Sequence, residues 1–287
     1  MTILVSGATG KIGRELVPLL LDRGEAVRAL TRDPASAKVD PRAEAVKADL
    51  DDPATLPPVL DGVDAVFVLT NGHRGEGLAQ ETHLATAAAK AGAARLVKLS
   101  TTGVHFGGTD RISAGHRAAE EVIRAAGPAW TILQPGGFMD NRLWWAKTAR
   151  EENAVHVFEA EDASVMIHAR DIAAVAAEAL TAPGHEGRTY PLTGGEVLTP
   201  AEQAATLSAA VGRRLDLVVD TEAELWAQFQ AKGWPRESFD GFVALKRGSV
   251  ERESIVFDTV ETLLDRAPLT FATWCTENAP AFGRRAA

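Results

Sequence analysis

Val5-Ser6-Gly7-Ala8-Thr9-Gly10-Lys11-Ile12-Gly13 decides how this chain folds. The three glycines follow an apolar run, Ile3-Leu4-Val5, and precede Glu15-Leu16-Val17 and Leu19-Leu20-Leu21, which read as an amphipathic helix ending near Gly24. A strand, a glycine-rich turn and a helix, in that order, let the backbone approach a pyrophosphate closely. Gly7 permits the tight turn, Gly10 leaves room for the phosphate, and Gly13 lets the helix lie against the sheet. The helix N-terminus then offers free N–H groups and a partial positive charge to the anion. Gly7, Thr9, Gly10, Lys11, Ile12 and Gly13 are the expected cradle of a dinucleotide.

Working outward, strand and helix signals alternate. Strands are expected at 26–31, 45–48, 63–69, 96–99 and 130–133, and helices at 53–60, 79–91 and 114–126. The run at 63–69 is nearly all apolar, as a parallel strand buried on both faces must be. This alternation predicts an α/β fold, a doubly wound parallel sheet with helices on both faces. The composition then shifts. Only Phe67 and Phe106 are aromatic before Trp130, whereas Phe138, Trp144, Trp145, Trp226, Phe229, Trp234, Phe239 and Phe242 follow it. Large aromatics build a second core or line a pocket for a flat ligand. Trp144 and Trp145 are adjacent, so both cannot face one core direction; one of them meets a cleft, a partner chain or solvent, and a homodimer surface fits as readily as a pocket.

The net charge of −9 over 287 residues argues against sequence-independent nucleic-acid binding. No apolar run approaches the roughly 20 residues that span a bilayer, and no segment reads as a signal peptide. The single cysteine, Cys275, allows no internal disulfide and reads as a small buried hydrophobe in a late helix. The histidines show no metal-ligand spacing, so no metal is expected; no flavin is expected either. Glu159, Glu161 and Asp162 read as a solvated acidic loop. The expectation is a cytoplasmic protein, and its abundant arginine and alanine suit a GC-rich bacterial gene.

The second strand ends Leu30-Thr31-Arg32-Asp33. A carboxylate at this place binds the ribose 2′-hydroxyl of NAD, whereas an arginine accommodates the 2′-phosphate of NADP. Arg32 favours NADP(H), and its guanidinium can also stack on adenine; Asp33 keeps NAD(H) open. With the glycine turn and Arg32 come Ala48-Asp49-Leu50, Leu69-Thr70-Asn71, Lys98-Leu99-Ser100, His116 with Glu120, and Trp130 through Leu133-Gln134-Pro135-Gly136 to Phe138-Met139-Asp140-Asn141. Ile167-His168, Asp171-Ile172-Ala173 and Tyr190-Pro191-Leu192-Thr193-Gly194 complete the series. In this order the chain resembles the NmrA-like branch of the atypical short-chain dehydrogenase/reductases, which includes small quinone and dye reductases and redox-sensing regulators. The resemblance implies a Rossmann-like core over 1–135, completed by later strands near 165–195, and a smaller, discontinuous substrate lobe mainly within 136–287. It places Asp49 and Leu50 beside the adenine, and Leu69, Thr70, Asn71, Ser100, Pro135 and Gly136 along the ribose and nicotinamide.

Typical short-chain dehydrogenases use a Tyr-x-x-x-Lys pair to exchange a proton with an alcohol. Here Tyr190 is the one tyrosine, and position 194 holds Gly194 where the lysine would stand. His116 is the replacement candidate, at the place where isoflavone-reductase relatives carry a catalytic lysine. Glu120 lies one helical turn on and is expected to orient the imidazole or raise its pKa. Ser100 is expected at a substrate oxygen or at the nicotinamide ribose. Phe138, Trp144, Trp145, His168 and Trp226 are the expected substrate contacts. Without strong acid chemistry, the expected acceptor is a quinone or other planar conjugated aromatic, since its reduced form is a phenolate-like anion with a conjugate acid of pKa roughly 10. A polycyclic hydroquinone released from such a site would react with dioxygen, giving net hydroxylation. The rival reading is a non-catalytic NAD(P)-binding sensor that regulates a protein partner.

Overall fold

The apolar run before the glycine turn is strand β1 (Thr2–Val5), and the turn leads into helix α1 (Gly13–Asp22). The structure is a computed structural model that describes residues 1–70, 77–158, 160–243 and 254–283. The chain divides into two compact units, Met1–Pro135 with Ala169–Leu192 and Thr259–Arg266, and Gly136–His168 with Thr193–Asp258 and Ala267–Ala287.

After α1 the first unit continues through β2 (Ala26–Thr31), β3 (Glu44–Lys47), α2 (Pro57–Leu60), β4 (Ala65–Val68), α3 (Gly77–Lys90), β5 (Arg95–Leu99), α4 (Thr102–His105), α5 (Arg111–Ala125) and β6 (Ala129–Pro135). The second unit begins with β7 (Gly137–Phe138), a 3-10 segment (Met139–Trp145), α6 (Ala146–Glu152), β8 (Ala154–Val157) and β9 (Ser164–Ile167). The chain returns to the first unit with α7 (Ala169–Thr181) and β10 (Arg188–Leu192). It then gives β11 (Val197–Leu198), α8 (Pro200–Val211), β12 (Asp216–Val219) and α9 (Glu222–Ala231) to the second. Helix α10 (Thr259–Leu264) belongs to the first unit and α11 (Phe271–Phe282) to the second. Among the described residues no helix is long and apolar enough to cross a membrane.

The first unit is a seven-stranded sheet in the order β10-β6-β5-β4-β1-β2-β3, with every neighbouring pair parallel. Each residue of β4 is buried, because helices cover both faces. Leu84, Ala85, Ala88 and Ile123, from α3 and α5, pack with Leu4, Val66, Val68 and Leu96 in one cluster. Helix α1 packs on α7, burying Leu16, Val17 and Leu20. The strand order reverses between β1 and β4, and an open sheet of this kind binds its ligand in the crevice outside the carboxyl ends there. Of the strands expected near 165–195, β10 joins this sheet through Arg188–Leu192 against Thr131–Pro135. Strand β9 does not; it pairs with β7 and β11 in the second unit.

The second unit owes its core to the late aromatics. Trp274 stacks on Phe271 at 5.4 Å, meets Phe282 edge-on, and donates its indole N–H to Asp140 Oδ1 at 2.8 Å. Cys275 is buried beside them, and burial, then the field of Glu196, pushes its thiol up to about 12. A separate cluster gathers Leu225, Phe229, Phe239 and Val243 with Trp226 and Phe242.

His156 on β8 lies 2.6 Å from Asp220 Oδ1 through Nδ1 and 3.1 Å from Glu152 Oε2 through Nε2. Burial opposes its charge, but Asp220, then Glu152, outweigh burial and raise its pKa above 6.5. The stabilisation is therefore complete below the unfolded imidazole's pKa and disappears as pH rises through the higher folded one. His156→Gln is expected to lower unfolding free energy by about 1 kcal/mol at mildly acid pH. Urea denaturation across pH should show wild type and variant converging in mild alkali; a gap that widens with pH contradicts this.

Candidate functional site

Glycine geometry makes the first turn a cradle. Gly7 has φ of +66°, which L side chains rarely adopt, and a Cβ at Gly13 would sit 2.3 Å from Gly7 O and 2.5 Å from Ala8 Cα. Gly10 N–H donates to Gly7 O at 2.9 Å, closing the turn. The Ser6 hydroxyl accepts from Leu69 N–H at 2.9 Å, tying β1 to the end of β4. Helix α1 starts with no side-chain cap at Ile12; the N–H groups of Arg14 and Glu15 donate to Gly10 O and Ile12 O, so an anion would be met by the positive end of the helix and the N–H groups just ahead of them. Thr9 and Lys11 are exposed on the turn, whereas the Ile12 side chain is buried and offers only backbone. These features fit a pyrophosphate.

The residues expected at the adenosine end follow β2, β3 and β4. Asp33 has its carboxylate taken up locally, accepting from Ser36 Oγ at 2.7 Å and Ala35 N–H at 3.2 Å. The Ser36 hydrogen bond holds its pKa below the ordinary carboxylate value. Arg32 beside it is exposed and pairs with no carboxylate among the described residues. Asp49 accepts from Asp51 N–H at 3.1 Å, and it and Leu50 are half-buried after β3. Leu69 and Thr70 follow β4 at the same edge; Asn71 lies outside the described residues.

Under α3 and α5 the sheet carries a buried charged network. Lys98, in the middle of β5, is fully buried, and its Nζ lies 2.7 Å from Glu81 Oε2, an ion pair outside hydrogen-bond angles. The ammonium also donates to Leu99 O at 3.1 Å. Glu81 Oε1 accepts from Thr70 Oγ1 at 3.0 Å. Leu99 pairs with Leu133, so the residues that follow, Ser100 and Gln134, share the opposite face of the sheet with Lys98. Both reach Glu120 Oε1, Ser100 Oγ donating at 2.5 Å and Gln134 Nε2 at 2.8 Å. Arg124 donates to Glu120 Oε2 at 2.8 Å. Sequence reasoning missed Glu81, Lys98 and Gln134 as a group. The available signal was a lysine inside Arg95-Leu96-Val97-Lys98-Leu99, since a buried ammonium requires a partner.

This network corrects the expectation for His116. Glu120 hydrogen-bonds Ser100, Gln134 and Arg124, not the imidazole. Burial, then the positive charge of Lys98, pushes the His116 pKa down to about 4, against the weaker pull of Glu120 and Asp110. His116 is therefore neutral at pH 7, not the imidazolium that a raised pKa would give. Tyr190, on β10, has its hydroxyl 2.9 Å from His185 Nδ1 and a pKa raised by burial.

In the second unit the expected substrate residues fall into two groups. Trp145 is buried in the core, with Arg142 over its ring at 4.9 Å. His168 is also buried, with Nε2 3.2 Å from Glu277 Oε2. Phe138 is half-buried ahead of the 3-10 segment, beside the half-buried Gly136. Trp144 is 38% exposed and meets Phe229 and Trp234 at 6.0 and 5.9 Å. The Lys232 ammonium sits over the Trp144 ring at 3.1 Å. Trp226 is half-buried against Phe239 at 5.2 Å.

Comparison with known proteins gives this edge a context. The NAD(P)H-binding family matches residues 7–183. The NAD(P)H azoreductase of Xenophilus azovorans is 38% identical over 286 residues, covering 98% of this chain and 99% of the relative. The (4-alkanoyl-5-oxo-2,5-dihydrofuran-3-yl)methyl phosphate reductase of Streptomyces griseus is 37% identical, covering 98% and 99%. Among solved structures, an NADPH-dependent quinone oxidoreductase from Escherichia coli superposes with a TM-score of 0.80 at 24% identity, covering 96% of this chain and 98% of that one. That last likeness is one of fold.

Lys98→Met is expected to destabilise the protein by about 3–5 kcal/mol, because it leaves Glu81 buried without its cation. Lys98→Met with Glu81→Leu should recover much of the loss in urea denaturation. A double variant as unstable as the sum of the single ones would mean that the two groups do not act as a pair.

Proposed function

The chain belongs to the NAD(P)H-binding family, and from that premise we propose that it is a reductase that delivers hydride to a planar conjugated acceptor such as a quinone or dye. The carrying observation is the state of the proton donors at the carboxyl edge. Ser100 directs its proton to Glu120, and His116 is pushed down to about 4 and so is neutral; Tyr190 is no donor there, its hydroxyl meeting His185 before the start of β10. The bound cofactor supplies hydride; the chain's own groups orient it and offer no strong acid among the described residues. Such a site suits an acceptor whose reduced form is a delocalised anion that water can protonate, with a conjugate acid of pKa roughly 10 for a phenol. A simple ketone would yield a far more basic alkoxide and would need an acid at the site. Likeness to an azoreductase and to a reductase of an alkanoyl-oxo-dihydrofuran supports a conjugated acceptor. The exposed Trp144 and the half-buried Trp226 and Phe138 are the residues proposed to meet its ring.

The proposed coenzyme is NADPH in preference to NADH, since the Asp33 carboxylate is engaged in its turn while Arg32 is exposed for a 2′-phosphate. Arg32→Ala is expected to weaken NADPH binding by about 10- to 100-fold, the worth of a hydrogen bond to a charged group, and to leave NADH nearly unchanged. Equal losses for both coenzymes, measured by fluorescence titration, would place Arg32 outside the 2′-phosphate site.

Activity is tested by loss of NADPH absorbance with a panel of quinones and azo dyes. Turnover is expected, with no inflection of histidine type in kcat/KM between about pH 6 and 8, where His116 stays neutral. Tight coenzyme binding without turnover on any acceptor would favour the sensor reading. The further step, in which a polycyclic hydroquinone product reacts with dioxygen to give net hydroxylation, predicts different final products in air and under argon.

A further inference from the structure

Two hydroxyls at the carboxyl ends of adjacent strands share one arrangement. Thr70 follows β4 and Ser100 follows β5. Thr70 Oγ1 donates to Glu81 Oε1 at 3.0 Å, and Ser100 Oγ donates to Glu120 Oε1 at 2.5 Å. Each carboxylate is paired with a cation, Glu81 with Lys98 and Glu120 with Arg124. An ion-paired carboxylate only accepts, and a hydroxyl has a single proton. Both protons therefore point into the protein, and only lone pairs remain on the ligand side. Gln134 shares the Glu120 carboxylate. Its Nε2 donates to Glu120, which fixes the amide's orientation, and its buried Oε1 has no hydrogen-bond partner among the described residues.

We propose that Glu81 and Glu120 are positioning residues that make the Thr70 and Ser100 hydroxyls accept hydrogen bonds from a ligand without donating any. Such an edge selects the donors of the nicotinamide half of the dinucleotide, its ribose hydroxyls or its carboxamide N–H groups. The same arrangement leaves a substrate carbonyl without a donor from Thr70 or Ser100. The inference rests on the dinucleotide reading and adds what no sequence pattern carries, the direction of each hydroxyl's proton.

The test measures dissociation constants by calorimetry on the full chain. The probes are NADP⁺, its acetylpyridine analogue, in which a methyl group replaces the carboxamide nitrogen, and analogues lacking the 2′- or 3′-hydroxyl of the nicotinamide ribose. Wild type is expected to bind at least one analogue about tenfold more weakly than NADP⁺, the worth of one hydrogen bond, and the affected analogue names the donor. Ser100→Ala or Thr70→Val should remove that discrimination. Glu120→Gln brings an amide that can donate to Ser100 and turn its proton outward, so NADP⁺ should bind about tenfold more weakly. The variant carrying both Ser100→Ala and Glu120→Gln should then bind no more weakly than Ser100→Ala alone, whereas independent structural damage adds. If Glu120→Gln fails to fold, the analogue series on wild type, Ser100→Ala and Thr70→Val decides the matter. Equal affinity for every analogue, discrimination that survives both hydroxyl deletions, or additive losses would overturn the proposal. Failure of wild type to bind NADP⁺ at all would instead refute the dinucleotide reading.

Discussion

A lysine in the centre of a buried parallel strand constrains everything at this sheet's working edge. Lys98 has no access to water, and an isolated ammonium there would cost several kcal/mol. Helix α3 meets that demand with Glu81, and one strand-step further Helix α5 places Glu120 against Ser100 and Gln134. The two helices that cover this face of the sheet therefore bring both apolar side chains and fixed charges. Removing either carboxylate would disturb hydrophobic packing less than it would disturb the orientation of the polar groups above it.

That orientation links the fold to the chemistry. The parallel sheet reverses its order at β1 and β4, and the glycine turn there leaves the N-terminus of α1 uncapped, as an anion requires. Beside it the hydroxyls of Thr70 and Ser100 are held with their protons inward. The positive charge of Lys98, buried nearby, also helps keep His116 neutral. One electrostatic arrangement thus directs the hydroxyl protons inward and keeps His116 neutral, and the proposed conjugated acceptor rests on both effects together.

Much of this was legible in the residue order. The spacing of Gly7, Gly10 and Gly13 requires a turn in which a Cβ at Gly13 has no room, and the apolar runs require buried parallel strands. Arg32 and Asp33 were readable as rivals for the ribose, but only the fold shows Asp33 folded back on Ser36. Adjacent Trp144 and Trp145 had to diverge, and they do, one exposed and one in the core. The His116–Glu120 pair misled, because helical spacing puts two side chains on one face without saying which third group claims the carboxylate. The resemblance put later strands near 165–195 in the main sheet; Arg188–Leu192 joins it, whereas Ser164–Ile167 pairs with β7 and β11, a matter of register.

The sequence by itself determined the elements, their alternation and the anion cradle, because each depends on neighbours within a few residues: a period of burial, a turn's φ, a missing Cβ. Tertiary structure decided where charge and protons reside. Glu81 and Lys98, or Ser100 and Glu120, lie far apart along the chain and meet only when α3 and α5 pack on β5 and β6. Electrostatic energy depends on distance and burial in space, and neither is written in the order of residues.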